Sequence, residues 1–322
     1  MRGPVWPGPG LGYIMPAMKD SRQDPHEARR KRTGVMYAVA AFLSWGILPL
    51  YFKAVASVPA LEVLAHRVVW SVVFLLALVL ARGGWSSFTA LFRSRRTQLT
   101  LMVTTCLIAT NWGVFIWAVA NGQLVEASLG YFITPLLNVV LGFFFLRERL
   151  RPVQVLAVVL ATGGIAYMTV ILGRMPLVTM TLAVSFAFYG LLRKKVPASG
   201  IQGLTAETLM LSPVAIAYLA WLQRQGELVF LNTTVRMDLL ILSAGVITAL
   251  PLIWFAEGAR RLRLATMGFL QYLAPSGQLL LAVIVFGEPF TRDHAFSFGL
   301  IWIALALYTS DTLRGMRHDS HS

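Results

Sequence analysis

The chain has 322 residues, of which 57% are hydrophobic and 13% charged, with a net charge of +14 and a mean hydropathy of +0.68. A globular protein carries about a quarter charged residues, so there is too little charge here to coat a water-soluble fold of this length. An ordinary soluble enzyme is thereby excluded, and the fold class is an all-α polytopic membrane protein. Its apolar runs of about 20 residues lack the alternation of a β-barrel strand.

In chain order, residues 1–33 are rich in Pro, Gly and charge and contain no apolar core for a signal peptide. They are expected to form a disordered tail ending in the basic run Arg29, Arg30, Lys31, Arg32, with Met15 and Met18 as alternative starts. Ten apolar spans follow, near 34–53, 61–81, 98–119, 124–146, 153–172, 177–193, 203–222, 238–258, 264–286 and 295–313. The sixth is the shortest. A C-terminal tail over 315–322 closes the chain, and Cys106, the only cysteine, rules out an intrachain disulfide.

The chain repeats itself. An offset of 140 places Pro135 on Pro275, Glu148 on Glu288, Leu124 on Leu264, Asn138 on Gln278 and Phe115 on Phe255. Ser44 and Lys53 meet Ser185 and Lys194 at an offset of 141, and Glu62 meets Glu207 at 145. This divides the chain into five-helix units over 34–173 and 174–314. An odd number of helices per unit makes the second copy enter the bilayer from the opposite side.

Charge bias agrees with that inversion. With the N-terminus inside, the inner segments carry 19 Lys and Arg against 5 in the outer loops, namely Lys53, Arg174, Arg224, Arg236 and Arg292. Equivalent loops also exchange charge: "RERLRP" (147–152) corresponds to "GEPFTR" (287–292), and "ANGQL" (120–124) to "RRLRL" (260–264). The Lys and Arg residues therefore report topology and not a nucleic-acid partner. Inverted repeats are the mark of alternating-access transporters, with the substrate site near the midplane.

Candidate functional residues follow from cost. Pro135 and Pro275 would kink their helices and free the carbonyls of Tyr131 and Gln271, which lipid tolerates only where they face protein or a water-filled cavity. A plain kink is the competing explanation. Asn138 and Gln278, one turn on, suit either a central hydrogen-bonding site or interhelical glue. The candidate pathway set is Asn111, Tyr131, Asn138, Gln271, Tyr272 and Gln278. Ionisable groups within spans cost about 2.5–3.5 kcal/mol each on insertion scales, which marks a gating or coupling set. Glu62, His66, Arg67 and Glu126 fall toward the outer ends of their helices, and Glu207 and Glu257 toward the inner ends. Glu126 or Glu62 is the expected partner of Arg67, although groups so near span ends can also snorkel to the interface. His66 alone suits packing better than metal binding. Trp45, Trp112 and Trp117 suit a planar substrate or an interfacial belt. No nucleotide-binding or hydrolase signature occurs, so neither a metal nor a cofactor is expected.

The stretches "YAVAAFLSWGILPLYFK", "EVLAHRVVW", "NWGVFIWAVANGQLVEASLGYFITPLLNVVLGFFFLRERL" and "LQYLAPSGQLLLAV" resemble the RarD family, of the EamA group in the drug/metabolite transporter superfamily. The resemblance covers residues 34 to 313 and leaves the N-terminal tail outside it. It implies ten helices in two inverted five-helix repeats, in a bacterial inner membrane with both termini cytoplasmic. It further implies that the first four helices of each repeat surround the pathway.

The leading expectation is a non-enzymatic secondary transporter or exporter of small organic solutes. Its partners are a small-molecule substrate, the bilayer and, as an open option, a coupling proton or other ion. A membrane-embedded enzyme acting on lipid-linked substrates is the alternative, and a receptor or scaffold is the third.

Overall fold

A computed structural model describes residues 25–147, 150–173, 175–193, 195–259, 261–262, 266–267 and 270–318. The tail up to residue 24, the last four residues, and Glu148, Arg149, Arg174, Lys194, Arg260, Arg263, Leu264, Ala265, Gly268 and Phe269 lie outside the described residues.

The first helix, α1 (Pro25–Ala54), starts earlier than expected and takes in residues 25–33, which the composition had placed in the tail. The reason is local: Pro25 opens the helix, where a missing N–H is harmless, and "HEARRKR" consists largely of good helix formers. Then come α2 (Ala60–Ala81), the short α3 (Trp85–Ala90), a 3₁₀ turn Leu91–Arg93, α4 (Arg95–Ala120), α5 (Leu124–Leu146) and α6 (Pro152–Leu172). The second half holds α7 (Leu177–Arg193), α8 (Gly200–Gln225), α9 (Val235–Ala259), α10 (Leu273–Leu280) and α11 (Arg292–His318). Several starts are dictated by sequence. Ser199 and Gln202 form a reciprocal capping box on α8, and Pro152 opens α6.

Among the described residues, 7 helices are long and apolar enough to cross a membrane, namely α1, α2, α4, α5, α6, α8 and α9. Two shorter apolar segments, Leu177–Arg193 and Leu273–Val285, fall on expected spans as well. The outer surface is apolar, as lipid requires: Phe144, Val170 and Ile284 are 70%, 77% and 74% exposed.

The helices pack across the two halves. α1 lies against α9 and α10, while α7 lies against α4 and α5. α2 packs on α8 and α9, α8 also meets α4, α5 meets α10, and α6 meets α11. Small residues permit the closest crossings. A Cβ on Gly277 of α10 would stand 3.0 Å from the Gly46 Cα of α1, so a side chain there would crowd the crossing. A core including Phe52, Leu129, Phe132, Leu182 and Phe298 joins α1, α5, α7 and α11.

One junction between halves rests on a carboxylate. The chain beyond α10 makes a π-turn over Leu281–Val285, and Gly287 follows with φ of 67°. This delivers Glu288, 8% exposed, beneath the start of α5. Its Oε1 and Oε2 accept the Leu124 and Val125 N–H groups at 2.9 and 2.8 Å. Those donors have no partner within the helix, and a carboxylate also complements the positive helix end. Glu288→Ala should therefore lower the detergent melting temperature, by about 1–3 kcal/mol in stability, because buried donors lose their acceptor. Glu288→Gln, which keeps one acceptor, should cost less; equal losses from both changes would contradict the capping role.

Candidate functional site: two polar clusters and a buried arginine

α2 and α8 run antiparallel. Val79, near the end of α2, packs with Ala206 at the start of α8, whereas Glu62, at the start of α2, reaches residues beyond the end of α8. Each pole of this pair holds a buried carboxylate, the matched residues Glu62 and Glu207. From Glu207 to the end of α8 is about 27 Å at 1.5 Å per residue, close to a bilayer core.

At the first pole, Glu62 is fully buried and its Oε1 accepts the backbone N–H groups of Val229 and Phe230 at 2.9 and 3.2 Å. It thereby pins the α8–α9 loop to α2. One turn on, His66 Nε2 lies 3.8 Å from the same oxygen, and its ring packs on Phe230 with centroids 4.8 Å apart. Neither ring nitrogen of His66, nor Glu62 Oε2, has a hydrogen-bond partner among the described residues.

At the second pole, Glu207 is 1% exposed and holds three groups. Thr104 Oγ1 of α4 donates to its Oε1 at 2.8 Å, and Tyr189 OH of α7 donates to its Oε2 at 3.1 Å. Arg193 Nε, one turn beyond Tyr189, stands 3.5 Å from Oε1. The carboxylate thus ties α4 and α7 to α8. Sequence reading singled out Glu207 but not these partners. The spacing of Tyr189 and Arg193, four residues apart on one helix face, was the signal available.

Glu257 was expected to join Glu207 together with Arg260, which lies outside the described residues. Its described ion-pair partner is Arg261, one turn along. Glu126 is half-buried in the first turn of α5, and its carbonyl accepts from Thr179 Oγ1 at 2.8 Å.

Between the poles lies Arg67, 5% exposed. The sequence pointed to a carboxylate partner, but among the described residues no ion pair reaches it: the pairs join His66–Glu62, Arg151–Asp311, Arg193–Glu207 and Arg261–Glu257. Glu62 is engaged by loop backbone instead. The guanidinium lies over the Trp112 ring at 4.1 Å and the Phe52 ring at 5.6 Å. Cation–π contact of this kind stabilises a desolvated cation without neutralising it.

A polar knot adjoins it. Asn111 Nδ2 donates to the Leu182 carbonyl at 3.0 Å and to Ser185 Oγ at 3.1 Å, and its Oδ1 accepts from Tyr131 OH at 2.9 Å. Phe115 bridges the two features, 5.9 Å from the Phe52 ring and 5.7 Å from the Tyr131 ring. α1, α2, α4, α5 and α7 therefore meet around one aromatic and polar centre. A shallow apolar groove between α4 and α7 touches this centre only at Ser185.

The other expected pathway residues are not gathered here. Gln278 is buried and its Nε2 donates to the Trp45 carbonyl at 3.2 Å, joining α10 to α1. Asn138, its repeat equivalent, is exposed. Tyr272 stacks on Phe132 with centroids 6.4 Å apart, and Gln271 is half-buried beside it. The two prolines differ as well. α5 runs unbroken through Pro135, whereas Pro275 stands in the first turn of α10, where no N–H is needed. Thr266, Met267 and Leu270 ahead of it are helical and Gln271 and Tyr272 form a turn, so the helical path is interrupted just before Pro275. Among the described residues no group of three or more His, Cys, Asp or Glu gathers that could hold a metal.

The EamA-like transporter family model matches the chain twice, over residues 32–170 and 174–310. A Vibrio cholerae protein named an uncharacterized transporter is 45% identical over 90% of this chain and 95% of its own length. Protein RarD of Escherichia coli K12 is 42% identical over 91% of this chain and 99% of its own. The chloramphenicol-sensitive protein RarD of Pseudomonas aeruginosa is 32% identical over 88% and 96%. A solved crystal structure, 20% identical, covers 88% of this chain and 98% of its own with a TM-score of 0.55, a likeness of fold. Apolar helices, a doubled family match and near full-length relatives lead to one conclusion: this multi-pass membrane chain belongs to the EamA-like transporter family, among relatives that carry the RarD name.

Proposed function

We propose that the chain is a secondary transporter of small organic solutes that works by alternating access between two inverted five-helix halves. One observation carries the reading. If α1, α2, α4, α5 and α6 are exchanged with α7, α8, α9, α10 and α11, the main packing pairs map onto one another. Thus α1 on α9 becomes α7 on α4, α1 on α10 becomes α7 on α5, and α2 on α9 becomes α8 on α4. Pairs α2 with α8, α5 with α10 and α6 with α11 map onto themselves. Two halves related in this way can exchange conformations, which is what opening first to one face and then to the other requires.

In this reading ten helices span the bacterial inner membrane and both termini are cytoplasmic. The Glu62–His66 cluster, with the α8–α9 loop, closes the outer end of the path. The Glu207–Tyr189–Arg193–Thr104 cluster closes the inner end. The Arg67–Asn111–Tyr131 centre lies on the path between them. Relatives named as transporters favour this over an enzyme acting on lipid-linked substrates, and a coupling proton would find its natural seat at Glu62 and His66.

Flux is the test. Proteoliposomes holding the full chain, without ATP, should exchange labelled small organic solutes faster than protein-free vesicles. Glu207→Ala and Glu62→Ala should each abolish most of that exchange. Turnover of a lipid-linked substrate, with no solute flux, would overturn the transport reading in favour of the enzyme.

A further inference from the structure

We infer that Arg67 is the anchoring point for a substrate carboxylate, so that the cargo is a small organic acid with an apolar or aromatic body. The inference rests on the transport reading and adds the chemistry of what is carried.

The argument begins with an imbalance. An arginine within membrane-spanning helices pairs, as a rule, with a carboxylate or with backbone carbonyls. Arg67 is 5% exposed, and among the described residues it has neither kind of partner, while its Nε is buried without an acceptor. What it does have is aromatic: its Cζ lies over the Trp112 ring at 4.1 Å and over the Phe52 ring at 5.6 Å, and neither ring can accept as a carboxylate does. Guanidinium donors lie in the plane of the group and match a carboxylate as a two-pronged fork, edge to edge. Aromatic neighbours leave such docking to an incoming acid and lower the local dielectric in which it occurs.

The surroundings select the rest of the ligand. Phe52 and Trp112 present ring surface to the cation, and Phe115 and Tyr131 continue it, 5.9 Å from Phe52 to Phe115 and 5.7 Å from Phe115 to Tyr131. Further along the same helix, Trp70 Nε1 and Ser71 Oγ are buried and have no hydrogen-bond partner among the described residues. A buried arginine, ring walls and spare donors are what a compact acid with an apolar body needs. Among the described residues no carboxylate pairs with Arg67, and Glu62 Oε1 accepts the Val229 and Phe230 N–H groups instead.

The experiment compares acids with their neutral isosteres on the purified full-length chain in detergent. Benzoate, 3-phenylpropionate and indole-3-acetate are titrated beside their carboxamides, with phenyl phosphate as a second anion, by calorimetry or thermal shift. At least one acid should bind tenfold or more tightly than its amide and more tightly than phenyl phosphate. Arg67→Gln should erase that preference, and Arg67→Lys, which keeps charge but loses the fork, should retain part of it. The acid–amide comparison on the unmutated chain decides the matter even if Arg67→Gln does not fold. Equal binding of acid and amide, no binding by any acid, a preference for phenyl phosphate, or an acid preference that survives in folded Arg67→Gln would each overturn the inference. Flux of a neutral solute that is indifferent to Arg67 would overturn it too, while leaving the transport reading standing.

Discussion

Glu207→Ala should lower stability by about 3–5 kcal/mol, the range seen when one partner of a buried ion pair is removed. Three helices depend on this carboxylate: α4 through Thr104, α7 through Tyr189 and Arg193, and α8, which carries it. Its loss leaves Arg193, 14% exposed at the side chain, with the Ser199 carbonyl at 3.4 Å and the Tyr189 hydroxyl as neutral acceptors and no described carboxylate. Much of the cost is the stranded cation, so Arg193→Leu added to Glu207→Ala should recover part of the stability. Thermal unfolding in detergent of both single variants and the double closes the cycle. Simple additivity would mean that the pair is not coupled.

Gly245→Ala should be nearly as damaging, despite adding a single methyl group. A Cβ at Gly245 of α9 would stand 2.5 Å from the carbonyl carbon and oxygen of Trp70 in α2. Backbone cannot turn aside as a side-chain tip can, so α2 and α9 must separate along their contact. Overpacking costs about 1–3 kcal/mol in ordinary cores, and here a helix pair that spans both halves must move. Gly163→Ala in α6, where a Cβ meets nothing within 4 Å, is the control. It should be neutral or slightly stabilising, since alanine is the better helix former. Yield of monodisperse protein and melting temperature, measured for both variants, check the contrast; equal behaviour would remove the close crossing from the account.

Much of this molecule is legible in its sequence because lipid imposes a simple code. The positions of α2, α4, α5 and α6 follow from apolar length, and the offset linking Glu62 to Glu207 marked the two poles before any packing was known. Other features depend on contacts that no local pattern encodes. Tyr189 and Arg193 become partners of Glu207 only when α7 lies beside α8. Arg67 was given a carboxylate because charge seeks opposite charge, yet ring faces occupy it and Glu62 holds a loop. Equal sequence offset also failed to give equal surroundings to Asn138 and Gln278. α5 is continuous, whereas α10 begins at Leu273 and enters a π-turn at Leu281, so the two amides do not share one register of exposure. The early start of α1 was hidden by reading charge as disorder, although the same residues favour a helix.

The claim on which the rest depends is that equivalent loops of the two halves face opposite sides of the membrane. The α2–α4 connection carries exposed Ser87, and its counterpart between α8 and α9 carries exposed Thr233. Cys106 is exposed and must first be replaced by alanine. In that background, single cysteines at these two positions are reacted with a membrane-impermeant maleimide in intact cells and again after permeabilisation. The account predicts labelling of Thr233→Cys in intact cells and of Ser87→Cys only once the membrane is opened. Labelling of both positions from the same side would contradict the inverted architecture and the alternating access built on it.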